Sequence, residues 1–450
     1  MPTASQTLAK FAAELKFSDI PKHVVERAKD CIINTVSIST FGAQMPWSRM
    51  VADYALKNAG GGPCSLLGVP EAKVHAPYAA LANGVFAHAF ELDGATEPSL
   101  GAHPGATLVP PILAACEQAN ADGKTAITAF VAGCEVLIRI AGAAHHGESP
   151  IESLGFHAPG ITGPYAAATG ASRVYGYNAE QTAHALGIAG SLSSGILAFT
   201  KSTQGGMIKR LHLGRASESG MLAAQLAGAG YSGPETVLDG KFGFLDVFCR
   251  AGDPKLLTAD LHKEWNVMRA CIKRYPFHMT AHTAVQTVRD LMAEHQFGGA
   301  QVAGITVEGV HKLQTHHNIL EPGDIAQAQY SVPFCVALSL YRDPDDPKSI
   351  DASALADSAI RAACRTVELR TLGDGNGTNK KVRVTVRLKD GRQFVHDAKS
   401  FRGMPVDPMS RDELRTRFMV QAASMGEAGA ARLFERLDKL EDQARFSVAG

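Results

Sequence analysis

Apolar residues recur at helical intervals through most of the chain. Between 22 and 40, Val24, Val25, Ala28, Ile32 and Val36 fall on one face of a 3.6-residue turn. The same period predicts helices near 73–92, 106–120, 125–144, 163–175, 179–198 and 215–230. Glycine and proline punctuate them, as in "GGGPCSLLGVP" and "GYSGPE". Small residues inside the helices, as in "AHALGIAGSLSSG", let neighbouring helices approach closely. From about 266 the period changes. "VAGITVEGV" and "KKVRVTVRLKDGRQFVHDA" alternate as strands do, and Asp390-Gly391 is a hairpin turn signal. Helical runs are expected at 280–295, 325–342 and 350–365, and the helical period returns near 410–440. The pattern predicts a mainly α protein: a large all-helical domain over 1–265, with 400–450 packing back on it, and a smaller α+β domain over 266–399.

Composition narrows what such a protein does. Lys plus Arg equals Asp plus Glu, at 44 each in 450 residues, so no overall field draws the chain to nucleic acid or to an anionic membrane. Any attraction for an anion must be local. The apolar stretch 126–144 is interrupted by Glu135 and Arg139 and reads as a buried helix rather than a membrane span. The N-terminus lacks the basic-then-apolar order of a signal peptide. Eight scattered cysteines with no CxxC pair fit reduced core thiols in a cytoplasmic setting.

Several motifs read as ordinary structure. "GAGYSG" (228–233) matches GxGxxG but follows a helix and precedes Pro234, so it is a loop and not a dinucleotide fingerprint. "GDGNGTNKK" (373–381) lacks the carboxylate spacing of a calcium loop. The adjacent pairs His145-His146 and His316-His317 default to solvent or a cap. His278 and His282 stand four apart at a helix start, a spacing some metal sites use, but no third ligand or HExxH carboxylate accompanies them. No metal and no cofactor is expected.

Three stretches carry chemistry. In "FAHAFELDGATEPSLGAHPGATLVPP" (86–111), His88 and Glu91 share a helical face, Asp93 follows, and a loop leads to His103-Pro104 and a new apolar helix. Acids and imidazoles at the mouth between buried helices suit proton transfer, and helix-end capping by Asp93 with surface histidines accounts for the spacing equally well. "GFHAPGITGPYAAATG" (155–170) places His157 in a loop before a small-residue helix. "STQGGMIKRLHLGRASESG" (202–220) places Lys209, Arg210, His212 and Arg215 in a cationic cluster before another helix, without aromatics on which bases stack.

These segments, "HAFELD…HPGATLVPPILAACE", "GFHAPGITGPYAAATGASRVYG", "KRLHLGRASESGMLAAQLAGAGYSGPETVLDGKFGF" and "KRYPFHMTAH", together resemble the MmgE/PrpD family, in order over roughly 5–440. Members include 2-methylcitrate dehydratase, cis-aconitate decarboxylase and iminodisuccinate epimerase. The resemblance implies a large helical domain, a smaller α+β lid, a metal-free active site between them, and commonly a homodimer. His103 is similar to the family's histidine after the acidic helix end, His157 to that of its (W/F)HxP loop, and Lys209 to the lysine of K-x-x-H-x-G. Lys273 and His278 fall on the lysine and histidine of K-R-(F/Y)-P-x-H. The chain departs from the family's HAxDxDD stretch: Glu91 replaces the first Asp, Gly94 the third, Thr96 matches a following threonine loosely, and the loop to His103 is about two residues longer.

What the resemblance implies is acid/base chemistry beside a carboxylate of a small di- or tricarboxylic acid. Lys209 and Lys273 would hold carboxylate and developing negative charge, with Arg210 assisting. His103, His157 and His278 are the acid/base candidates, and Asp93 with Glu91 and Thr96 would orient an imidazole or a substrate polar group. The first expectation is a 2-methylcitrate dehydratase-like lyase. An epimerase of an iminodisuccinate-type dicarboxylate and a cis-aconitate decarboxylase-like enzyme are the alternatives, and a non-catalytic polycarboxylate-binding protein is the alternative of another class.

Overall fold

A computed structural model describes residues 2–98, 100–145, 151–202, 205–249, 252–372 and 381–448. The chain divides into two compact units, Met1–Cys271 with Ser410–Gly450, and Ile272–Met409. The divisions fall about six residues after the expected 265/266 boundary and about ten after 399/400.

The first unit is mainly α. At its centre, helix Ala158–Val174 packs on Ile208–Gly228 and Gly123–Ala144, while Ala76–Ala87 packs on Ile208–Gly228 and Pro104–Ala119. Helix Gly123–Ala144 is long and apolar enough to cross a membrane, yet its residues are buried within this unit. Helix Ala158–Val174 is buried on every side, which its alanines and glycines permit by letting neighbours in close. The crossing that matters most for the site lies between Gly84 and Gly214. A Cβ on Gly214 would stand 2.6 Å from the Leu81 carbonyl oxygen, and one on Gly84 would stand 2.9 Å from Gly214 Cα. Only hydrogen fits between these backbones. The crossing therefore holds the start of Ile208–Gly228 beside the end of Ala76–Ala87. C-terminal helices Arg411–Gln421 and Glu427–Asp438 pack on Lys22–Gly42 in the same unit.

The second unit is α+β. Its sheet runs Val367–Thr371, Val302–Gly309, Val382–Leu388, Gln393–Ala398, with the first pair parallel and the others antiparallel. Val382, Val384, Val386 and Leu388 alternate inward, and the strand packs on helix Met279–His295. The hairpin turns at Asp390-Gly391, where Gly391 takes φ +92°.

Several boundaries differ from the sequence reading. The helix expected over 73–92 runs Ala76–Ala87, and the one expected over 179–198 stops at Ser191. "GGGPCS" forms a strand paired with Lys73–Val74 rather than a plain loop. The run 325–342 breaks at Ser331, whose hydroxyl accepts from Phe334 N and starts a new helix. The run 350–365 breaks at Asp357 in the same way. Strand Val367–Thr371 was not foreseen, because its exposed outer residues give it little apolar signal. The loop 373–381 and His146 lie outside the described residues, except for Lys381. All eight cysteines are free and buried, and burial pushes the Cys64 and Cys271 thiols up to about 12.

Candidate active site

The first unit gathers His88, Glu91, Asp93, His103, His157, Lys209, Arg210 and His212. Each arrives from a helix terminus. Ala76–Ala87 ends at His88, and the chain then turns through Glu91, at φ +55°, to Asp93. His103 and His157 are the N-cap residues of Pro104–Ala119 and Ala158–Val174, and neither ring makes a capping hydrogen bond. Proline at the first or second helical position starts both helices, so the imidazoles are left for other work. Lys209, Arg210 and His212 stand in the first turns of Ile208–Gly228. They were expected in a loop before that helix, but the helix begins at Ile208 and includes them.

Asp93 organises one half of the cluster. Its Oδ2 lies 2.8 Å from His88 Nδ1 and 2.7 Å from His103 Nδ1. Asp93 and His88 are fully buried, and the His103 side chain is 16% exposed. Burial alone would raise the Asp93 carboxyl, but the two imidazoles outweigh it and hold the group well below the usual carboxylate range. Burial lowers His88 to about 3 despite Asp93 beside it. At neutral pH His88 is therefore a neutral ring that donates Nδ1–H to an ionised Asp93. Its Nε2 is then a bare lone pair, and neither it nor Asp93 Oδ1, both buried, has a hydrogen-bond partner among the described residues. The capping role open to Asp93 on spacing is not the one it takes.

Glu91 organises the other half. Its Oε1 accepts from Arg210 Nη1 at 2.8 Å and from the Lys209 ammonium. The expected helical face shared by His88 and Glu91 does not form, because the helix stops at Ala87 and Glu91 turns toward Ile208–Gly228. Arg210 Nη1 also donates to the His88 carbonyl oxygen at 3.2 Å, which ties the two halves together. Burial lowers the Lys209 pKa, Glu91 raises it, and Arg210 lowers it again. His157 Nδ1 lies 2.9 Å from His212 Nδ1, and the His157 ring centroid is 6.3 Å from that of His88. Burial, then the Lys209 charge, pulls both His157 and His212 down. Thr96 is buried, and its hydroxyl donates to the Pro98 carbonyl oxygen at 3.0 Å.

Lys273 and His278 belong to the second unit. Lys273 is almost completely buried, while its neighbour Arg274 forms a two-pronged pair with Asp345 at 2.8 Å and 2.8 Å. His278 caps Met279–His295 by accepting from Thr280 N, and its ring stacks on His317 at 4.5 Å and lies against Tyr330 at 4.8 Å. His317 is not at the surface as its adjacent-pair spacing suggested. It is buried, donates through Nδ1 to the Tyr330 carbonyl oxygen at 2.9 Å, and is lowered to about 4 by that burial. His282 is fully buried and donates Nε2–H to the Phe277 carbonyl oxygen at 3.1 Å, among Tyr275, Phe277 and Phe401. The i,i+4 pair serves one cap and one core.

Among the described residues, His88, Asp93 and His103 form the cluster with metal-ligand identity. His88 Nδ1 hydrogen-bonds Asp93 Oδ2 at 2.8 Å, and His103 Nδ1 pairs with the same oxygen at 2.7 Å. Ligands about 2.0–2.1 Å from a tetrahedral zinc stand about 3.3 Å apart.

Sequence reasoning missed His88 and His212 as site members. His88 is the residue before the acidic turn, and His212 is three after Lys209, on the same helical face. Both signals were present, but neither tells a site histidine from a helix-end one without the neighbouring elements.

The MmgE/PrpD N-terminal domain family matches residues 6–257, and the MmgE/PrpD C-terminal domain family matches 275–443. The chain is 26% identical to a cis-aconitate decarboxylase-like protein of Aspergillus oryzae, over 97% of this chain and 92% of that one. It is 27% identical to a cis-aconitate decarboxylase of Aspergillus terreus, over 97% and 93%. With the human cis-aconitate decarboxylase the identity is 24%, over 98% and 93%. The chain belongs to the MmgE/PrpD family and is an enzyme of lyase or isomerase type.

Proposed function

We propose that the chain is a cofactor-free lyase that breaks a bond beside a carboxylate of a small di- or tricarboxylic acid, with decarboxylation of a cis-aconitate-type substrate as the first reading. One observation carries the acid/base part: a buried cluster where a bare imidazole nitrogen, His88 Nε2, and a carboxylate oxygen, Asp93 Oδ1, have no hydrogen-bond partner among the described residues, beside a buried ammonium. Buried polar atoms without partners are costly, and a polar ligand relieves that cost. The decarboxylase reading is favoured over the dehydratase first expected by the names of the relatives, matched end to end at 24–27% identity.

In this reading Lys209, with Arg210 behind it, faces a substrate carboxylate and the charge that develops as the C–C bond breaks. Carbon dioxide leaves, the bonding pair stays on the carbon skeleton, and one proton from solvent is delivered to carbon. His103, held by Asp93 through Nδ1 and the more exposed of the rings, is the proposed donor through Nε2. Lys273 and His278 are proposed as further substrate-binding and acid/base residues on the resemblance of their motif.

Purified protein offered cis-aconitate should release carbon dioxide and form an unsaturated dicarboxylate visible by proton NMR, and dialysis against a chelator should leave the rate unchanged. Water loss from 2-methylcitrate without carbon dioxide release would move the assignment to the dehydratase. Deuterium uptake with racemisation of an iminodisuccinate-type acid would move it to the epimerase. Binding of polycarboxylates with no turnover at all would end the catalytic reading.

A further inference from the structure

His157 and His212 face each other through the same kind of atom, Nδ1 to Nδ1, at 2.9 Å. Such a contact is a hydrogen bond only when one nitrogen carries a proton and the other a lone pair. Two protons would clash there, and two lone pairs would repel. The geometry is fixed from several sides. His157 N donates to Gly195 O at 3.1 Å, and Ser194 N donates to Gly160 O at 3.3 Å, which straps 194–195 to the start of Ala158–Val174. A Cβ on Gly195 would lie 3.4 Å from His212 Nδ1, and one on Gly160 would lie 3.5 Å from His212 Cβ. Phe199 packs edge-on against both rings, at 5.7 Å and 5.9 Å.

We propose that His212 is a positioning residue for His157: the two rings share one proton between their Nδ1 atoms, and its position decides whether His157 Nε2 is a proton acceptor or a donor. With the proton on His157 Nδ1, its Nε2 is bare. With the proton on His212 Nδ1, His157 Nε2 carries hydrogen. Uptake of a proton at His157 Nε2, transfer across the pair and release from His212 Nε2 move one proton with no net change in the pair's charge, and leave the shared proton on His212 Nδ1 until the reverse transfer resets it. The charged or titratable groups around His157 are Lys209, His88 and His103 besides His212, and for His212 the nearest is Lys209. Burial, and then the Lys209 charge, opposes an added proton on the pair and keeps both rings neutral.

This inference rests on the acid/base reading of the site, and its test separates the two. The full chain is labelled with imidazole-15N histidine, and long-range 1H–15N spectra are recorded between pH 6 and 8, with His157→Asn to assign signals. Two neutral rings of opposite tautomer are expected, one protonated at Nδ1 and the other at Nε2. His212→Phe should release His157 into a tautomer mixture. With cis-aconitate as probe it should also lower kcat about 10²-fold, the worth of one positioned acid/base group, with KM little changed. His212→Asn, whose amide can occupy the Nδ1 position, should recover part of the rate, and thermal melts of both variants check the fold. Identical tautomers in the native protein, or His157 signals unmoved in a folded His212 variant, overturn the proposal. Opposite tautomers in a protein that turns over no carboxylate support it and end the catalytic reading alone.

Discussion

Arg210 holds Glu91 at 2.8 Å from a backbone that Glu91 keeps at φ +55°, in the left-handed region that costs a residue with a Cβ about 1–2 kcal/mol. Strain of this kind persists where surrounding contacts over-determine it, and here they are the Lys209 and Arg210 cations on one carboxylate oxygen. Glu91→Gln should remove the main group that raises Lys209, leaving the weaker pull of Asp93 against burial and Arg210, so that the pKa falls further. The alkaline limb of the pH–rate profile should move to lower pH. Thermal stability should fall as well, since breaking a buried pair from one side costs about 3–5 kcal/mol. An alkaline limb that stays in place would show that Lys209 does not titrate in the rate-limiting step.

The crossing at Gly84 and Gly214 predicts a stability effect coupled to activity. A methyl on Gly214 meets the Leu81 carbonyl oxygen at 2.6 Å and Val85 Cγ2 at 2.6 Å, neither the flexible end of a long side chain. Gly214→Ala should cost about 1–3 kcal/mol through overpacking. It should also lower kcat in the protein that remains folded, because Lys209 and His212 ride on the displaced helix. A variant as stable and active as the parent would mean that the crossing has slack.

Acid should unfold the first unit through its buried histidines. His88 is about 3 in the folded chain against 6.5 when free, so between these values the unfolded state binds the proton that the folded state refuses. Stability from a neutral His88 is present in full above about 6.5 and falls with pH down to about 3. The slope is at most about 1.4 kcal/mol per pH unit for one group. His157 and His212 are lowered too and act with the same sign. Asp93, lowered rather than raised, adds its own loss below 3.8. Denaturant midpoints between pH 7 and 4 should fall steeply in the parent and less steeply in His88→Gln. Equal slopes would place the His88 proton elsewhere.

Fold class and the order of elements were readable because long helices with apolar stripes and alternating strands each leave a strong period. Segments such as Val332–Ser339 were readable as apolar but not as separate helices, since one serine cap decides the break. The ordered motifs pointed to His103, His157 and Lys209 one by one. What the sequence could not state is which partner each would take. Asp93 pairs with two histidines and not with a helix end, and Glu91 pairs across 118 and 119 residues with Lys209 and Arg210. The Glu91 pairing rests on the Gly84–Gly214 crossing, which sets Ile208–Gly228 beside the end of Ala76–Ala87, a tertiary event with no local period. His317 shows the same limit: an adjacent histidine pair gives no sign of which ring a later tyrosine segment will bury.

The two histidines of "CIKRYPFHMTAH" should respond differently to substitution, for reasons the second unit makes plain. His278 is an N-cap whose ring accepts from Thr280 N, so His278→Ala mixes loss of chemistry with loss of a cap worth about 1 kcal/mol. His278→Asn separates them, since asparagine caps well and carries no titratable ring. With stability nearly unchanged, it should lower kcat on the carboxylate substrate by about 10²–10⁴ if the imidazole transfers a proton. His282, by contrast, is fully buried, bonded to the Phe277 carbonyl oxygen and packed at a tilt against Tyr275 and Phe401. His282→Ala should cost about 2–4 kcal/mol through a cavity and an orphaned carbonyl, while the protein that stays folded turns over near the parent rate. Thermal melts paired with kcat for each variant decide it. A His278→Asn protein that is stable and fully active would remove His278 from the chemistry and leave it a cap.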